Sequence, residues 1–188
     1  MIVQVKERTI EEIELKLSSM NTVLNKINYL ESVIKWTGFD FEVKRFLWGK
    51  LSEFYSEEKM FERSAKAMSN RASLEVMSNE RFDSYITAAE IYSKVGKIED
   101  ADEMFTRSGR DLDAVGKRKV KLARKNIYLL SAKELEDKGK KASAVKFYEK
   151  LIKMDLEEIE KNEIKEKLIS TYTSLGMFRE AKILEGIK

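Results

Sequence analysis

Apolar side chains recur at Ile10, Ile13, Leu17, Met20, Leu24, Ile27, Leu30 and Ile34, in steps of three or four residues. That spacing keeps them on one side of an α-helix, and it predicts a long helix of roughly seven turns ending near Thr37-Gly38. Thr9 opens it with a capping-box spacing, its hydroxyl facing free amides while Glu12 reaches back. Asp40 is placed to cap a second helix, which carries Phe41, Phe46, Leu47, Trp48, Leu51, Phe54 and Tyr55. A third is expected from about Glu57 to Met77, with Ser56 as its cap and Asn79 at its end. The chain has no Pro, so Gly and Asn must mark where helices stop.

The second half repeats itself. Gly96, Gly139 and Gly176 each lie five residues before an alanine, Ala101, Ala144 and Ala181, and four residues after a large side chain, Tyr92, Leu135 and Tyr172. Nine residues after the first two glycines come Phe105 and Tyr148; the third unit has Glu185 there, with Leu184 one position earlier. The physical reading is a helix that ends at Gly, a tight reversal, and a second helix that packs back through its Ala. A larger residue at that position would hold the two backbones apart, at a cost of about 1–3 kcal/mol. The competing reading is an ordinary bundle of amphipathic helices; three copies in succession favour stacked hairpins.

This arrangement resembles the tetratricopeptide repeat, a helix-turn-helix unit of about 34 residues that stacks into a solenoid. Tyr85, Ala88-Ala89, Tyr92, Gly96, Ala101, Phe105 and Ser108 carry the spacing best, followed by Tyr128, Ser131-Ala132, Leu135, Gly139, Ala144, Tyr148 and Leu151. The last unit keeps Leu168, Tyr172, Gly176 and Ala181, and an earlier degenerate copy places Trp48, Ser52, Tyr55, Lys59, Ser64 and Met68 at the equivalent positions. The glycines are 43 and 37 residues apart, however, so some helices or connections must be longer than the family's. The expected fold is all-α: a right-handed stack of antiparallel helical hairpins, a TPR-like α-solenoid with a long N-terminal helix. Residues 1–38 form that amphipathic helix and residues 39–188 the repeat domain, with units at about 45–78, 82–108, 125–158 and 162–188.

The resemblance implies a non-enzymatic adaptor or scaffold that binds a peptide or partner helix in a groove built from the first helix of each hairpin. The implied groove positions are Ile86, Glu90, Ser93 and Lys94, then Leu129, Lys133, Glu136 and Asp137, then Glu166, Ser170, Thr173 and Ser174. The family's best-known variant grips a C-terminal carboxylate with Lys and Asn. Ile86, Leu129 and Glu166 stand at the first of those places, so that clamp is missing, and a ligand of mixed charge with an apolar anchor fits better. The stripe from Ile10 to Ile34 either docks on the neighbouring helices as a cap or pairs with a second copy in a homodimer.

Composition removes much chemistry. With no Cys and no His there is no disulfide framework, no thiolate nucleophile and no Ser-His or Cys-His pair. No cofactor or metal is expected, since the pairs Asp100 with Asp102 and Asp111 with Asp113 lack a calcium-loop spacing. Gly116-Lys117 is followed by Arg118 where a phosphate loop needs Ser or Thr, and neither Ser-x-x-Lys pair, Ser56 with Lys59 or Ser143 with Lys146, has companion motifs. No apolar run approaches the roughly 20 residues that span a bilayer, and the first residues lack a secretory signal's apolar centre, so a cytoplasmic location is expected.

The net charge is +3, from 36 basic and 33 acidic residues, but it is unevenly spread. Arg107–Lys125 holds eight basic and two acidic residues. Lys117, Arg118, Lys119, Lys121, Arg124 and Lys125 are interleaved with Val120, Leu122, Ala123, Ile127 and Tyr128, so a helix there is expected to bury one side and array cations on the other. RNA or another polyanion is the alternative partner for such a face.

Overall fold

The computed structural model describes residues 6–186. Residues 1–5 and 187–188, the outermost parts of the expected N-terminal helix and of the last unit, lie outside the described residues. Ten helices follow one another among the described residues: α1 Ile10–Ser18, α2 Val23–Val33, α3 Phe41–Glu57, α4 Phe61–Leu74, α5 Ser78–Lys94, α6 Ile98–Ser108, α7 Ala114–Asp137, α8 Lys141–Ile152, α9 Glu158–Ser174 and α10 Phe178–Gly186. There is no strand among the described residues. The helices pack in chain order, as a TPR-like solenoid does, with α3–α4, α5–α6, α7–α8 and α9–α10 as its hairpins.

The hairpin turns share one geometry. Gly96, Gly139 and Gly176 take φ of 76°, 71° and 74°, in the left-handed region. At each, the next amide reaches back five residues to the carbonyl of the large residue: Lys97 to Tyr92 (3.0 Å), Lys140 to Leu135 (2.8 Å), Met177 to Tyr172 (2.9 Å). The glycine amide itself donates to the carbonyl three back, which completes a Schellman motif and satisfies the last orphan carbonyls of the first helix. The degenerate copy does the same without glycine. Lys59 has φ 58°, and Met60 N–H donates to the Tyr55 carbonyl at 2.7 Å. A left-handed residue with a Cβ costs roughly 1–2 kcal/mol, against about 0.4–1 kcal/mol that Gly adds to the freedom of the unfolded chain. Lys59→Gly is therefore expected to stabilise by roughly 0.5–1 kcal/mol in urea titration, and a loss of stability would show that the Lys side chain holds the turn.

Two stretches differ from expectation for identifiable reasons. The long N-terminal helix is two helices. Ser18, Ser19, Asn21 and Thr22 interrupt it: Ser18 and Ser19 hydroxyls donate to the carbonyls of Glu14 and Lys16, and Thr22 caps α2 by accepting from Asn25 N–H. Side chains that compete for backbone hydrogen bonds end a helix where an apolar stripe alone would continue it. The capping box of Thr9 and Glu12 is present at the start of α1. The expected third helix from Glu57 to Met77 is replaced by the end of α3, a turn at Glu58–Met60, and α4. Ser56 lies inside α3 and hydrogen-bonds Ser64 (2.7 Å) instead of capping, and Asn79 sits in the first turn of α5.

Apolar burial runs along the stack in two clusters. Ile13, Leu17, Ile27 and Leu30 of the N-terminal stripe pack with Val43, Leu47, Leu51, Phe54 and Tyr55 of α3, so most of the seam expected for a coiled coil is covered within the chain, while Leu24 stays half-exposed. The second cluster begins at Ala72 and runs through Tyr85, Phe105, Tyr128, Phe147 and Tyr148 to Ala181. The post-glycine residues Ser64, Ala101, Ala144 and Ala181 are all buried, the first three completely. Ser64 is the polar version of that contact, its hydroxyl donating to the Ser52 carbonyl at 2.8 Å. Buried tyrosines send their hydroxyls to carboxylates: Tyr55 to Glu31 (2.6 Å), Tyr148 to Glu136 (2.7 Å), Tyr172 to Glu149 (2.7 Å). Burial, and then the bonded Glu31, push the Tyr55 phenol up to about 12.

The longer spacing between Gly96 and Gly139 comes mainly from α7. Helices α3, α5 and α9 have 17 residues each and end two residues before Lys59, Gly96 and Gly176, whereas α7 has 24 and ends two before Gly139. The seven additional residues are therefore Ala114–Val120, about 10 Å of helix at its basic start.

Candidate partner-binding surfaces

A cleft of about 610 Å³ opens between the first helices α3 and α5. One wall is the face of α3 carrying Glu42, Arg45, Phe46, Gly49, Lys50, Glu53 and Ser56, residues three or four apart and hence neighbours on a helix surface. Thr87 and Ile91 of α5 face it, Met68 and Arg71 of α4 lie beneath, and Ile10 of α1 also lines it. Its chemistry is mixed: three cations, two carboxylates, and apolar Phe46, Met68, Ile91 and Ile10.

The basic side chains are held in place from below. The Glu75 carboxylate, almost fully buried, pairs with Arg71 Nε at 3.0 Å and Arg45 Nε at 3.4 Å, and Arg45 also donates to the Leu74 carbonyl at 3.2 Å. Two guanidinium partners answer the desolvation cost of that carboxylate, and they anchor both arginines at the cleft. Gly49 makes room for this arrangement, since a Cβ there would stand 3.0 Å from an Arg71 Nη. Lys50 pairs with Glu53 at 3.2 Å on the exposed rim.

The groove residues expected from the sequence lie on the same kind of face, further along the stack, and outside this cleft. Ile86 and Leu129 are half-buried against the core. Glu90 and Lys94 form an ion pair with each other at 2.8 Å. Lys133, Asp137, Ser170 and Thr173 are exposed, as are Glu166 and Ser174. Ser93 is buried, and Glu136 is engaged by Tyr148 and Thr171 hydroxyls, which makes both parts of the packing. Reading the repeat backwards by 37 residues from Ile86, Glu90 and Ser93 gives Gly49, Glu53 and Ser56, all of which line the cleft. That signal was present in the sequence, in the degenerate copy with Lys59 at the glycine position, but the expected groove positions come only from the three glycine-bearing units.

The expected cationic face is divided. Lys117, Lys121 and Arg124 turn toward a cleft between α6, α7 and α8, whereas Arg118 and Lys125 line the other flank of α7 beside Leu156, Glu157 and Glu160. Lys121 pairs with Asp155 and Lys125 with Glu160. Arg124 and Lys150 share Asp102, which also accepts from the Tyr128 hydroxyl. Leu122 is half-exposed, so α7 does not separate into one buried and one charged side there. No single surface presents all six cations, because a 100° turn per residue spreads consecutive side chains around the helix.

No group of three or more acidic side chains is placed to hold a metal ion, and no helix is long and apolar enough to cross a membrane, among the described residues. Comparison with known proteins supplies a family for one unit: residues 126–158, the second half of α7 with α8 and the connection after it, match a tetratricopeptide repeat model. No curated protein matches the chain. Among solved structures, a protein of Podosopora anserina described as a kinesin light chain with nearly identical TPR-like repeats is similar at 14% identity, over 93% of this chain and 88% of that one, with a TM-score of 0.37. Repeats of this type generally mediate protein–protein interactions. With one unit similar to a tetratricopeptide repeat and the other hairpins built on the same turn and the same small buried contact, the chain is an all-helical repeat protein whose hairpins resemble that unit.

Proposed function

We propose that this chain is a non-enzymatic interaction module, an adaptor or scaffold that docks a peptide or helix of another protein along the α3–α5 cleft. The observation that carries the reading is the cleft itself. With a volume of about 610 Å³, it combines apolar Phe46 and Ile91 with charges of both signs, of which Arg45 and Arg71 are held in place by Glu75. Apolar anchors supply affinity and the placed charges supply register and selectivity. The exposed positions Lys94, Lys133, Asp137, Ser170 and Thr173 extend the same face for a longer ligand, with residues 1–38 capping the repeat domain of residues 39–188. A cytoplasmic setting accords with a chain free of Cys.

A photo-crosslinking residue at Thr87 tests this. A discrete partner should be trapped there in cells, should not be trapped from exposed Lys146 on α8, and should be lost when Phe46→Glu is added. Equal trapping at both positions, or trapping that survives Phe46→Glu, would remove the cleft as the docking site.

A further inference from the structure

The second cleft, about 580 Å³ between α6, α7 and α8, differs in character from the first. Lys117, Lys121, Arg124, Lys150 and Lys153 surround it, while Asp155 on its rim and Asp102 beneath it are the carboxylates they meet. The ammonium groups of Lys117 and Lys153 form no ion pair among the described residues, and Arg124 Nε is buried with no acceptor. Half-buried Val120 and Met154 give the cleft an apolar floor.

This site exists because of the insertion in α7. Lys117 and Val120 belong to the seven residues by which α7 exceeds the other first helices, so a hairpin of ordinary length would lack that wall. We propose that this cleft docks an acidic segment of a partner protein, one with an apolar side chain between its carboxylates. The proposal rests on the protein-interaction reading and adds a second, charge-selective contact to it. Cations outnumbering carboxylates attract an acidic chain, and the apolar floor takes a side chain that nucleic acid does not offer. Single-stranded nucleic acid uses exposed aromatic faces for stacking. Phe105 is the one aromatic residue lining the cleft, and it is only 2% exposed.

The test is fluorescence anisotropy on the full chain with a labelled Glu-Asp-Leu-Glu-Asp-Leu peptide, its Gln-Asn-Leu counterpart, and oligouridine of similar charge. The acidic peptide should bind best, and Lys117→Glu with Lys153→Glu should weaken it by about tenfold or more, as expected for loss of close charge contacts. Arg118→Glu with Lys119→Glu changes net charge equally on other flanks of α7 and should leave binding within about twofold, leaving only the screened, longer-range effect. All four side chains are exposed, and circular dichroism should show every variant folded. Equal losses in the two double variants, tighter binding of oligouridine, or no binding of the acidic peptide would each overturn the proposal. If these fail while partner trapping at Thr87 persists, the acidic-segment site falls and the α3–α5 docking stands.

Discussion

Replacing Tyr128 with Ala is expected to lower stability by about 3–5 kcal/mol, the range for removing a large buried ring, or roughly 10 °C in melting temperature for a chain of this size. Tyr128 is completely buried and joins three helices. Its ring meets Phe105 of α6 edge-on at 5.5 Å and Phe147 of α8 at 5.3 Å, and its hydroxyl donates to Asp102 of α6. The backbones of α6 and α7 otherwise approach each other little, because the hairpins on either side meet mainly through α5 and α7. Losing this ring should loosen that junction more than any other. In a stack, stability is close to a sum of units and nearest-neighbour interfaces, so calorimetry should also show a broader transition. Tyr128→Phe keeps both ring contacts and leaves Asp102 paired with Arg124 and Lys150, so it should cost only about 1 kcal/mol. Similar losses in the two variants would show that the hydroxyl, and not the aromatic packing, holds the junction.

Ala101→Leu or Ala144→Leu should destabilise by about 1–3 kcal/mol through overpacking, which corresponds to about 2–10 °C. Both residues have no exposed surface, and each lies five residues past a left-handed glycine, on the first full turn of the returning helix. Three additional heavy atoms there have nowhere to go except between the paired helices. A substitution at exposed Lys97, whose ion pair with Glu62 at 3.4 Å is solvated, should change melting by less than about 0.5 kcal/mol. If all three variants melt together, the small residues are not the points of closest helix contact. Ser64 at the equivalent position completes the comparison: Ser64→Ala would strand the Ser52 and Ser56 hydroxyls that now share it.

Much of this architecture was legible in the chain because its signals are local. A glycine in the left-handed region, a large residue four before it and a small one five after it lie within ten residues, and they define the turn, the last carbonyl bonded and the contact of the returning helix. Thr9 with Glu12 and Asp40 announced helix starts for the same reason. The errors were local too, but competitive. The stripe from Ile10 to Ile34 is continuous in apolar period, yet Ser18, Ser19 and Thr22 offer the backbone alternative partners and the helix breaks. At Lys59 an unfavourable residue takes the glycine's conformation, because the packing of α3 on α4 outweighs about 1–2 kcal/mol of local strain.

By itself, the sequence determined the class of structure, the number and style of its later hairpins, and the absence of thiol and imidazole chemistry. Each of these depends on residue identity and short-range spacing. Tertiary structure decided which faces come together: that Arg45 and Arg71 converge on Glu75 from different helices, that a cleft of mixed charge opens between α3 and α5, and that the six cations of Lys117–Lys125 are parted by Asp102, Asp155 and Glu160. Those partners come from residues 22 to 35 positions away for the cations and from a separate helix for Arg45. Periodicity reports the direction of a side chain around its own helix axis and carries no information about the neighbour that will meet it.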